Sequence, residues 1–320
     1  MSFSARVKEE LSHQLSKARH CQIAELAAIL SLCGKIHIDE EDHFSIRIHT
    51  ENVAVARKYF TLLKNTFNIK ADISIRRNAF LKKSRSYTLL VRDHENALRV
   101  LEAVKMVDAQ GNVGENLSVV RNLVIQNACC KKAFIRGAFL AAGSLSDPEK
   151  FYHFEIVCST LSKAQQLQEL VQSFEVDAKV VSRKKHEVVY VKEGAQIVEI
   201  LGLMGANVSL MNLENVRILK EMRNSVNRKV NCETANINKT VNAAVKQMED
   251  IAYIRDTIGL ERLPDNLEEI AQIRLEYPQA SLKELGMLLA PPVGKSGVNH
   301  RLRKIGSIAE ELRGNKEEQI

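Results

Sequence analysis

Four side chains near the carboxyl end have the types and spacing that read nucleic-acid bases. They follow the spacing i, i+3, i+4 and i+7 and are Ser296, Asn299, His300 and Arg303. Such a set shares one face of a helix. Arginine suits guanine and asparagine suits adenine, so this face is typical of a recognition helix in the major groove. The alternative is a small helical bundle with a basic face.

Further polar side chains around this face are expected to contact DNA, mainly at the phosphates. They are Ser281, Lys283, Lys295, Arg301 and Lys304. Lysine and arginine bind phosphate, which fixes the position of a protein on the duplex without reading its sequence. The partner predicted by both sets is double-stranded DNA.

A second group of cations lies on two predicted β-hairpins. The first hairpin carries Arg76, Arg77, Lys82, Lys83 and Arg85, and the second carries Arg183, Lys184 and Lys185. A twisted basic ribbon fits the major groove, so these side chains are candidates for contacts with the DNA backbone. The alternative is an edge strand that positive charge protects from aggregation.

The residues that commonly bind metals or carry out catalysis show no such pattern. The six cysteines include no Cys-x-x-Cys pair, and the sequence has no phosphate-binding or dinucleotide-binding glycine motif. The adjacent Cys129 and Cys130 are interpreted as core packing, and no histidine has a partner at an interpretable spacing. We therefore predict no metal, no cofactor and no catalytic residue.

Composition indicates a globular chain with a polyanionic partner. The 320 residues are 45% hydrophobic, enough for two cores, and the net charge is +7. No apolar run of about 18 residues and no apolar signal-peptide core is present, which predicts a cytoplasmic protein without a membrane partner.

Two apolar helices with small residues must organise the fold that carries the hairpins. They end at Gly34 and Gly143, which lie 143 − 34 = 109 residues apart. Each glycine suits a left-handed turn, and small side chains four apart allow close helix packing. After each helix the pattern of hairpin, helix, basic hairpin and helix recurs, although only one strand of the first hairpin is evident in the second copy. The repetition indicates a duplicated unit, whereas the helices alone could be unrelated.

The remaining pattern divides the chain into domains. We expect the duplicated domain at 1–222, with its repeats at about 20–105 and 127–205. An asparagine-rich stretch predicts a linker at 223–245, a helical domain follows at 246–315, and 316–320 is expected as a flexible tail.

The helical domain has its own start and stop signals. Ser281-Leu282-Lys283-Glu284 is a capping box, Ala290-Pro291-Pro292-Val293-Gly294 breaks the helix it opens, and Ser296 is the predicted cap of the next helix. That helix would bury Val298, Leu302 and Ile305 and end before Gly306. Short helices joined in this way predict a helix-turn-helix.

Three long segments resemble the WhiA family of bacterial DNA-binding regulators. They are Asn-Ala-Cys-Cys-Lys-Lys-Ala-Phe-Ile-Arg-Gly-Ala-Phe-Leu-Ala-Ala-Gly-Ser at 127–144, Asn-Arg-Lys-Val-Asn-Cys-Glu-Thr-Ala-Asn at 227–236, and 281–305. The resemblance implies an α+β fold: a duplicated αββαββα domain like the LAGLIDADG homing endonucleases, and a separate all-α helix-turn-helix domain like that of sigma factors. It also implies nucleoid association, regulatory protein partners, and roles in transcription, cell division, chromosome segregation and, in spore formers, sporulation.

The resemblance also defines where a nuclease would hold its metal ions. LAGLIDADG nucleases need an acid at the eighth place of each motif, and these places are Cys33 and Ala142 here. Neither supplies a hard oxygen ligand for Mg²⁺. We predict a non-catalytic regulator. The alternatives are an N-terminal protein-interaction scaffold with DNA bound only by the C-terminal domain, or a residual endonuclease that uses Asp39 or Asp147.

Overall fold

The first part of the chain contains one order of helices and strands twice. The computed structural model describes residues 1–77, 85–107 and 122–317. After an opening helix α1 (Phe3–His13), the first copy comprises α2 (Arg19–Cys33), β1 (Gly34–Ile38), β2 (Phe44–Thr50), α3 (Val53–Phe67), β3 (Asp72–Arg77), β4 (Arg85–Val91) and α4 (His94–Ala103). After a 3-10 turn (Asn122–Ile125), the second copy comprises α5 (Ala128–Ala142), β5 (Gly143–Leu145), β6 (Phe154–Cys158), α6 (Leu161–Gln172), β7 (Lys179–Arg183), β8 (His186–Val191) and α7 (Gly194–Met204). Both copies have the predicted order αββαββα.

Each copy folds its four strands into one antiparallel sheet. The strand order is β1-β2-β4-β3 in the first sheet and β5-β6-β8-β7 in the second. In β2, Phe44, Ile46 and Ile48 are buried while the residues between them are not, as the two-residue period of a strand requires. Each sheet therefore has one face on the core and one open face. The weak first hairpin of the second copy is present, because β5 pairs with β6.

The two small-residue helices pack directly against each other, as predicted. A Cβ atom on Gly137 of α5 would lie 2.5 Å from the carbonyl oxygen of Glu25 in α2 and 3.0 Å from the Ala28 Cβ. Only glycine allows the helices to approach this closely without displacing backbone. The helix pair is thus the shared centre of the two copies.

A buried ionic network joins the copies beside this contact. Glu25 lies 2.9 Å from the Lys58 Nζ and accepts two hydrogen bonds from Arg136, at 3.0 and 2.9 Å. The Glu25 and Lys58 side chains are fully buried. Burial lowers the pKa of Lys58, and the Glu25 carboxylate opposes that shift. Lys58 belongs to the first copy and Arg136 to the second, so one carboxylate holds both.

The glycines that follow these helices are extended, which corrects the prediction of left-handed turns. Gly34 has φ −82° and Gly143 has φ −85°, and each is the first residue of a strand. A Cβ on Gly34 would lie 2.6 Å from the Leu30 carbonyl oxygen, and one on Gly143 would lie 2.3 Å from the Phe139 ring. Glycine is required here because the strand leaves the helix with no room for a side chain.

The chain divides into two compact units, Met1–Glu221 and Met222–Ile320. A long helix, α8 (Asn207–Thr257), contributes to both, and the second unit continues with a 3-10 turn (Leu260–Arg262), α9 (Asp265–Glu276), α10 (Leu282–Leu288) and α11 (Lys295–Glu317). Its core contains Ile254, Ile270, Leu285, Val298 and Leu302. Among the helices in the described ranges, none combines the length and apolarity needed to cross a bilayer.

Two predicted breaks in the second unit are absent. Residues 223–245, expected as a linker with helix caps, lie inside the continuous α8. No glycine or proline occurs within that helix, and an asparagine costs under about 1 kcal/mol of helix propensity. Gly306 does not end α11 either, because the apolar stripe continues through the buried Ala309 and Leu312 packs on the same core. The helix reaches Glu317, so the predicted tail at 316–320 begins inside it.

Candidate nucleic-acid interface

A capping box fixes the start of α10, as predicted. The Ser281 Oγ accepts a hydrogen bond from the Glu284 N–H at 3.3 Å, and the Glu284 carboxylate accepts one from the Ser281 N–H at 2.7 Å. These hydrogen bonds, the backbone one first, hold the pKa of Glu284 below its usual value. The box anchors the helix that precedes the turn, and Ser281 remains exposed beside it.

The turn between α10 and α11 is held by close backbone contact. The Val293 N–H donates to the Gly286 carbonyl oxygen at 2.9 Å. A Cβ on Gly286 would lie 2.1 Å from the Val293 carbonyl oxygen, so the turn could not fold against α10 with a larger residue there. Glu269 of α9 also accepts the Ala290 N–H at 2.8 Å. These contacts orient α11 relative to the two preceding helices.

The orientation of α11 separates a buried stripe from an exposed one. Val298, Leu302 and Ile305 are at most 3% exposed. The residues of the predicted base-reading set lie outside this stripe: Ser296, His300 and Arg303 are exposed and Asn299 is half-buried. We call these four residues the reading face.

Four cations on and around the reading face have no ion pair within the described residues. Lys283, Lys295, Arg303 and Lys304 are exposed. Within the described ranges, none of them appears among the acid–base pairs closer than 4 Å, which elsewhere include the surface pair Lys246–Glu310 at 3.2 Å. Unpaired cations of this kind attract a polyanion without first breaking an internal contact.

Arg301 differs from the other predicted DNA contacts. Its guanidinium donates to the Asn266 carbonyl oxygen at 3.4 Å and lies 4.0 Å from the Glu269 carboxylate. Its side chain is only 21% exposed. The sequence grouped Arg301 with the free donors, whereas the structure places it against α9, because its position follows the buried stripe more closely than the reading face.

The open face of the first sheet carries cations that the sequence analysis missed. Lys35 and Arg47 are direct neighbours across β1 and β2 on this face. The predicted Arg77 and Arg85 are direct neighbours across β3 and β4, but they alternate in phase with the buried Leu89 and therefore lie on the other side of the sheet. Like charges in this position are destabilising, and none of the four has an acidic partner among the described ion pairs. The open face keeps the Lys35–Arg47 pair and is therefore suited to an anion that neutralises it. The sequence did carry a signal for Arg47: it lies between Ile46 and Ile48, which alternate inward along β2, so its side chain must point outward.

Two more side chains complete this face. His49 Nδ1 lies 3.2 Å from the Thr88 hydroxyl in the middle of the sheet. The predicted contact Arg76 is exposed on β3, beside the pair Arg92–Asp72 at 3.0 Å. The predicted Lys82 and Lys83 fall in the segment 78–84, outside the described residues. We call Lys35, Arg47, His49 and Arg76 the basic face.

The predicted cations of the second sheet are arranged differently. Arg183 lies 3.1 Å from the Glu155 carboxylate, so its charge is already neutralised. Burial alone would raise the pKa of Glu155, but hydrogen bonds from His153 and Ser144 outweigh it and hold the value low. Lys184 and Lys185 are exposed in the β7–β8 turn. Only this turn of the second hairpin offers free positive charge.

The two helix ends that would correspond to the acid positions of a LAGLIDADG nuclease do not fit a divalent metal ion. Cys33 and Ala142 occupy these places and are half-buried. Burial raises the pKa of the Cys33 thiol to about 12, although the nearby Lys8 ammonium opposes the shift. A protonated thiol, a methyl group and an adjacent ammonium provide no oxygen ligand and repel a cation.

The two alternative acids, Asp39 and Asp147, accept hydrogen bonds from backbone N–H groups within their own hairpin loops. Asp39 accepts hydrogen bonds from the Glu41 and His43 N–H groups at 3.0 and 2.9 Å. Asp147 accepts one from the Glu149 N–H at 3.1 Å. Both carboxylates close the loop of a first hairpin, the role that aspartate commonly has in turns.

Three family models match the chain. They are the WhiA N-terminal LAGLIDADG-like domain at residues 19–107, the WhiA LAGLIDADG-like domain at 131–223, and the WhiA C-terminal HTH domain at 226–309. The third match includes α9, α10 and the part of α11 that carries the reading face.

Curated relatives match along almost the whole chain. The probable cell division protein WhiA of Lachnoclostridium phytofermentans is 58% identical over 313 residues, which cover 98% of this chain and 100% of the relative. That of Alkaliphilus oremlandii is 49% identical, with 99% of each chain covered. The crystal structure of full-length WhiA from Thermatoga maritima matches with a TM-score of 0.57 at 25% identity, covering 97% of this chain and 99% of that one.

Proposed function

The chain belongs to the WhiA family, and from that premise we propose that it is a sequence-specific, non-catalytic DNA-binding regulator. The names of the relatives connect the family with cell division. Transcription of cell-division genes, chromosome segregation and, where the organism forms spores, sporulation are the processes it would control. The protein would reside on the nucleoid, in contact with double-stranded DNA and with other regulatory proteins.

The reading face of α11 is the observation that carries this proposal. Its four side chains stand outside the buried stripe of a helix that α9 and α10 hold in place. Their amide and guanidinium groups match the base edges of adenine and guanine. Free lysines at 283, 295 and 304 surround them and would hold the phosphates.

The test is to map bound sites across the source genome and then measure binding of the full chain to one site at stated salt. Arg303→Ala should weaken specific binding by about 1 to 3 kcal/mol and relax base preference at one position. Non-specific binding to a scrambled duplex should change much less, because its phosphate contacts remain.

Arg255→Ala is the matched control, because Arg255 is exposed in the same unit but pairs with Asp256 at 2.8 Å. Its affinity for the mapped site should equal that of the natural protein. Equal loss in both variants, or an unchanged affinity of the Arg303 variant, would remove the reading face from the proposal.

The non-catalytic part of the proposal follows from the helix ends. Lys8, Cys33 and Ala142 offer no oxygen ligand, and Asp39 and Asp147 serve their hairpin loops. Incubating the protein with its mapped site and Mg²⁺ should leave the duplex intact. Cleavage that disappears in Asp39→Ala or Asp147→Ala would identify a residual endonuclease.

The second sheet favours a second role within the same protein. Its open face carries Val157, Val181 and Tyr190, while Arg183 is neutralised by Glu155. An apolar centre with internally paired charge is typical of protein interfaces rather than of DNA-binding surfaces. We propose that this face holds a regulatory protein while the rest of the chain binds DNA.

A further inference from the structure

Four metal-ligating side chains meet where the helices α2 and α5 begin. His20 and Cys21 lie in the first turn of α2, and Cys129 and Cys130 lie in the first turn of α5. One ligand atom from each residue lies within 4.8 Å of all the others. The His20 Nδ1 is 3.1 Å from the Cys130 sulfur and 3.4 Å from the Cys21 sulfur.

The two pairs occupy equivalent places in the duplicated fold. Their separations are 129 − 20 = 109 and 130 − 21 = 109 residues, equal to the 143 − 34 = 109 that separates the glycines after the same helices. Since α2 and α5 pack against each other, equivalent positions on them meet across the pseudo-twofold axis. Each copy contributes one adjacent pair, which explains why no Cys-x-x-Cys spacing announces the cluster.

The composition and geometry of the cluster fit Zn²⁺. Three thiolates and one imidazole form one of the common sets for a closed structural zinc site. Bonds of about 2.3 Å to sulfur and 2.0 Å to nitrogen place tetrahedral ligand atoms about 3.4 to 3.8 Å apart, which small side-chain rotations reach from the present arrangement. Carboxylates, which Mg²⁺ and Ca²⁺ prefer, are absent from the cluster.

Without a metal ion the buried thiols of the cluster hold their protons, because burial raises the pKa of Cys21 to about 11 and also raises that of Cys130. Zinc binding would release these protons, and the helix ends favour that release. Neither α2 nor α5 has a side-chain N-cap, and neither has an acidic residue in its first turn. The N–H groups of both first turns therefore stabilise thiolates. Cys21 and Cys129 line an open cleft together with Lys132 and Arg136, so an ion has a path to the cluster.

We propose that His20, Cys21, Cys129 and Cys130 bind one Zn²⁺ ion that cross-links the amino ends of α2 and α5. The ion would join the two copies at the opposite end of the helix pair from Gly34 and Gly143. This role is structural and does not depend on DNA binding. It revises the prediction of no metal, which rested on sequence spacing alone.

The first test measures the zinc content of the full chain purified without chelator. We expect about one zinc per chain. Cys129→Ser and His20→Asn should each lose most of it, and since both side chains are exposed, their replacement leaves the core in place. Cys158→Ser and Cys232→Ser are matched controls outside the cluster and should keep it. Zinc retained equally by all four variants would overturn the proposal.

The second test identifies the ligands with the metal alone. Adding Co²⁺ to the zinc-free chain should give thiolate charge-transfer absorption and the visible bands of a tetrahedral site, and both should vanish in Cys129→Ser. Zinc-free protein should melt at a lower temperature than the loaded protein, and zinc should restore the natural chain but not this variant. The site would be refuted if the zinc-free natural chain gave the same cobalt spectrum as the Cys129→Ser variant. A mass that shows a disulfide within the cluster would refute it too.

Discussion

The open faces of the two sheets share one topology but differ in what they can bind. On the open face of the first sheet, Lys35 lies directly opposite Arg47, and neither has an acidic partner among the described ion pairs. On the second sheet, Glu155 neutralises Arg183. Duplication has kept the backbone and changed the electrostatics.

This difference shows that core packing constrains one face of each sheet, whereas binding partners constrain the other. The core faces of both sheets must cover the same helix pair, so Ile46 and Ile156 are both fully buried. The open faces do not pack on the helix pair, so their residues can differ between the copies. Repulsion kept on the first face is understandable if a polyanion neutralises it, whereas the second face is already balanced without a partner.

The strongest test asks whether both faces depend on one core. Glu25→Gln should destabilise the first unit by about 3 to 5 kcal/mol, because it leaves Lys58 and Arg136 without their buried counter-charge. Denaturant unfolding followed by amide exchange should show both sheets lost together. Glu214→Gln, at a half-buried surface pair with Arg217, should cost under about 1 kcal/mol.

The same variant has a pH dependence of defined sign. Burial already lowers the folded-state pKa of Lys58, so between that value and 10.5 the unfolded chain binds more protons. Stability of Glu25→Gln should therefore rise with pH as Lys58 loses its proton, and the gap to the natural protein should narrow. If amide exchange of the Glu25→Gln variant showed one sheet protected while the other exchanged, the two copies would fold independently.

The second prediction concerns the helix end at Cys33. Burial lowers the pKa of Lys8, beside Cys33, to about 8. Lys8→Met should stabilise the protein by roughly 1 to 3 kcal/mol at pH 7, since the folded state no longer holds a buried ammonium. The gain should fade between pH 8 and 10.5. Thermal melting at pH 7 and pH 10.5 checks this, and an equal gain at both values would assign it to packing alone.

The local patterns of the chain predicted much of this architecture. The capping box at Ser281, the buried stripe at Val298 and the helix pair around Gly137 depend on residues within one or two turns or on small side chains. The opposed Lys35 and Arg47 required strand register, and the cluster of His20 with Cys129 required two helices 109 residues apart. The predicted break at Asn224 failed because a weak helix former does not stop a helix that lacks glycine and proline.

The third prediction sharpens the comparison between the faces directly. Combined Lys35→Ala, Arg47→Ala and Arg76→Ala substitutions should reduce the slope of log K against log salt by about 3, one for each lost phosphate contact. The matched set on the second sheet, Lys179→Ala with Arg183→Ala and Lys185→Ala, should reduce it by less than about 1.

Filter binding or fluorescence anisotropy at several salt concentrations gives both slopes. Equal reductions of the salt slope in the two sets would mean that both sheets contribute equally to DNA binding. An unchanged slope in the first set would leave DNA binding to the second unit and make the whole duplicated domain a protein scaffold.

The smallest expected effect tests why the second face is neutral. Glu155→Gln should free Arg183 and raise DNA affinity by less than about threefold, in keeping with the low energy of a surface ion pair. Glu187→Gln is the control, because it removes one negative charge from the same sheet, where Glu187 accepts the Ser182 hydroxyl at 2.7 Å. If only the Glu155 variant gains affinity, Arg183 is a DNA contact held in check by its neighbour. If neither gains, the second face lies away from the duplex, and the charge pair serves the sheet itself.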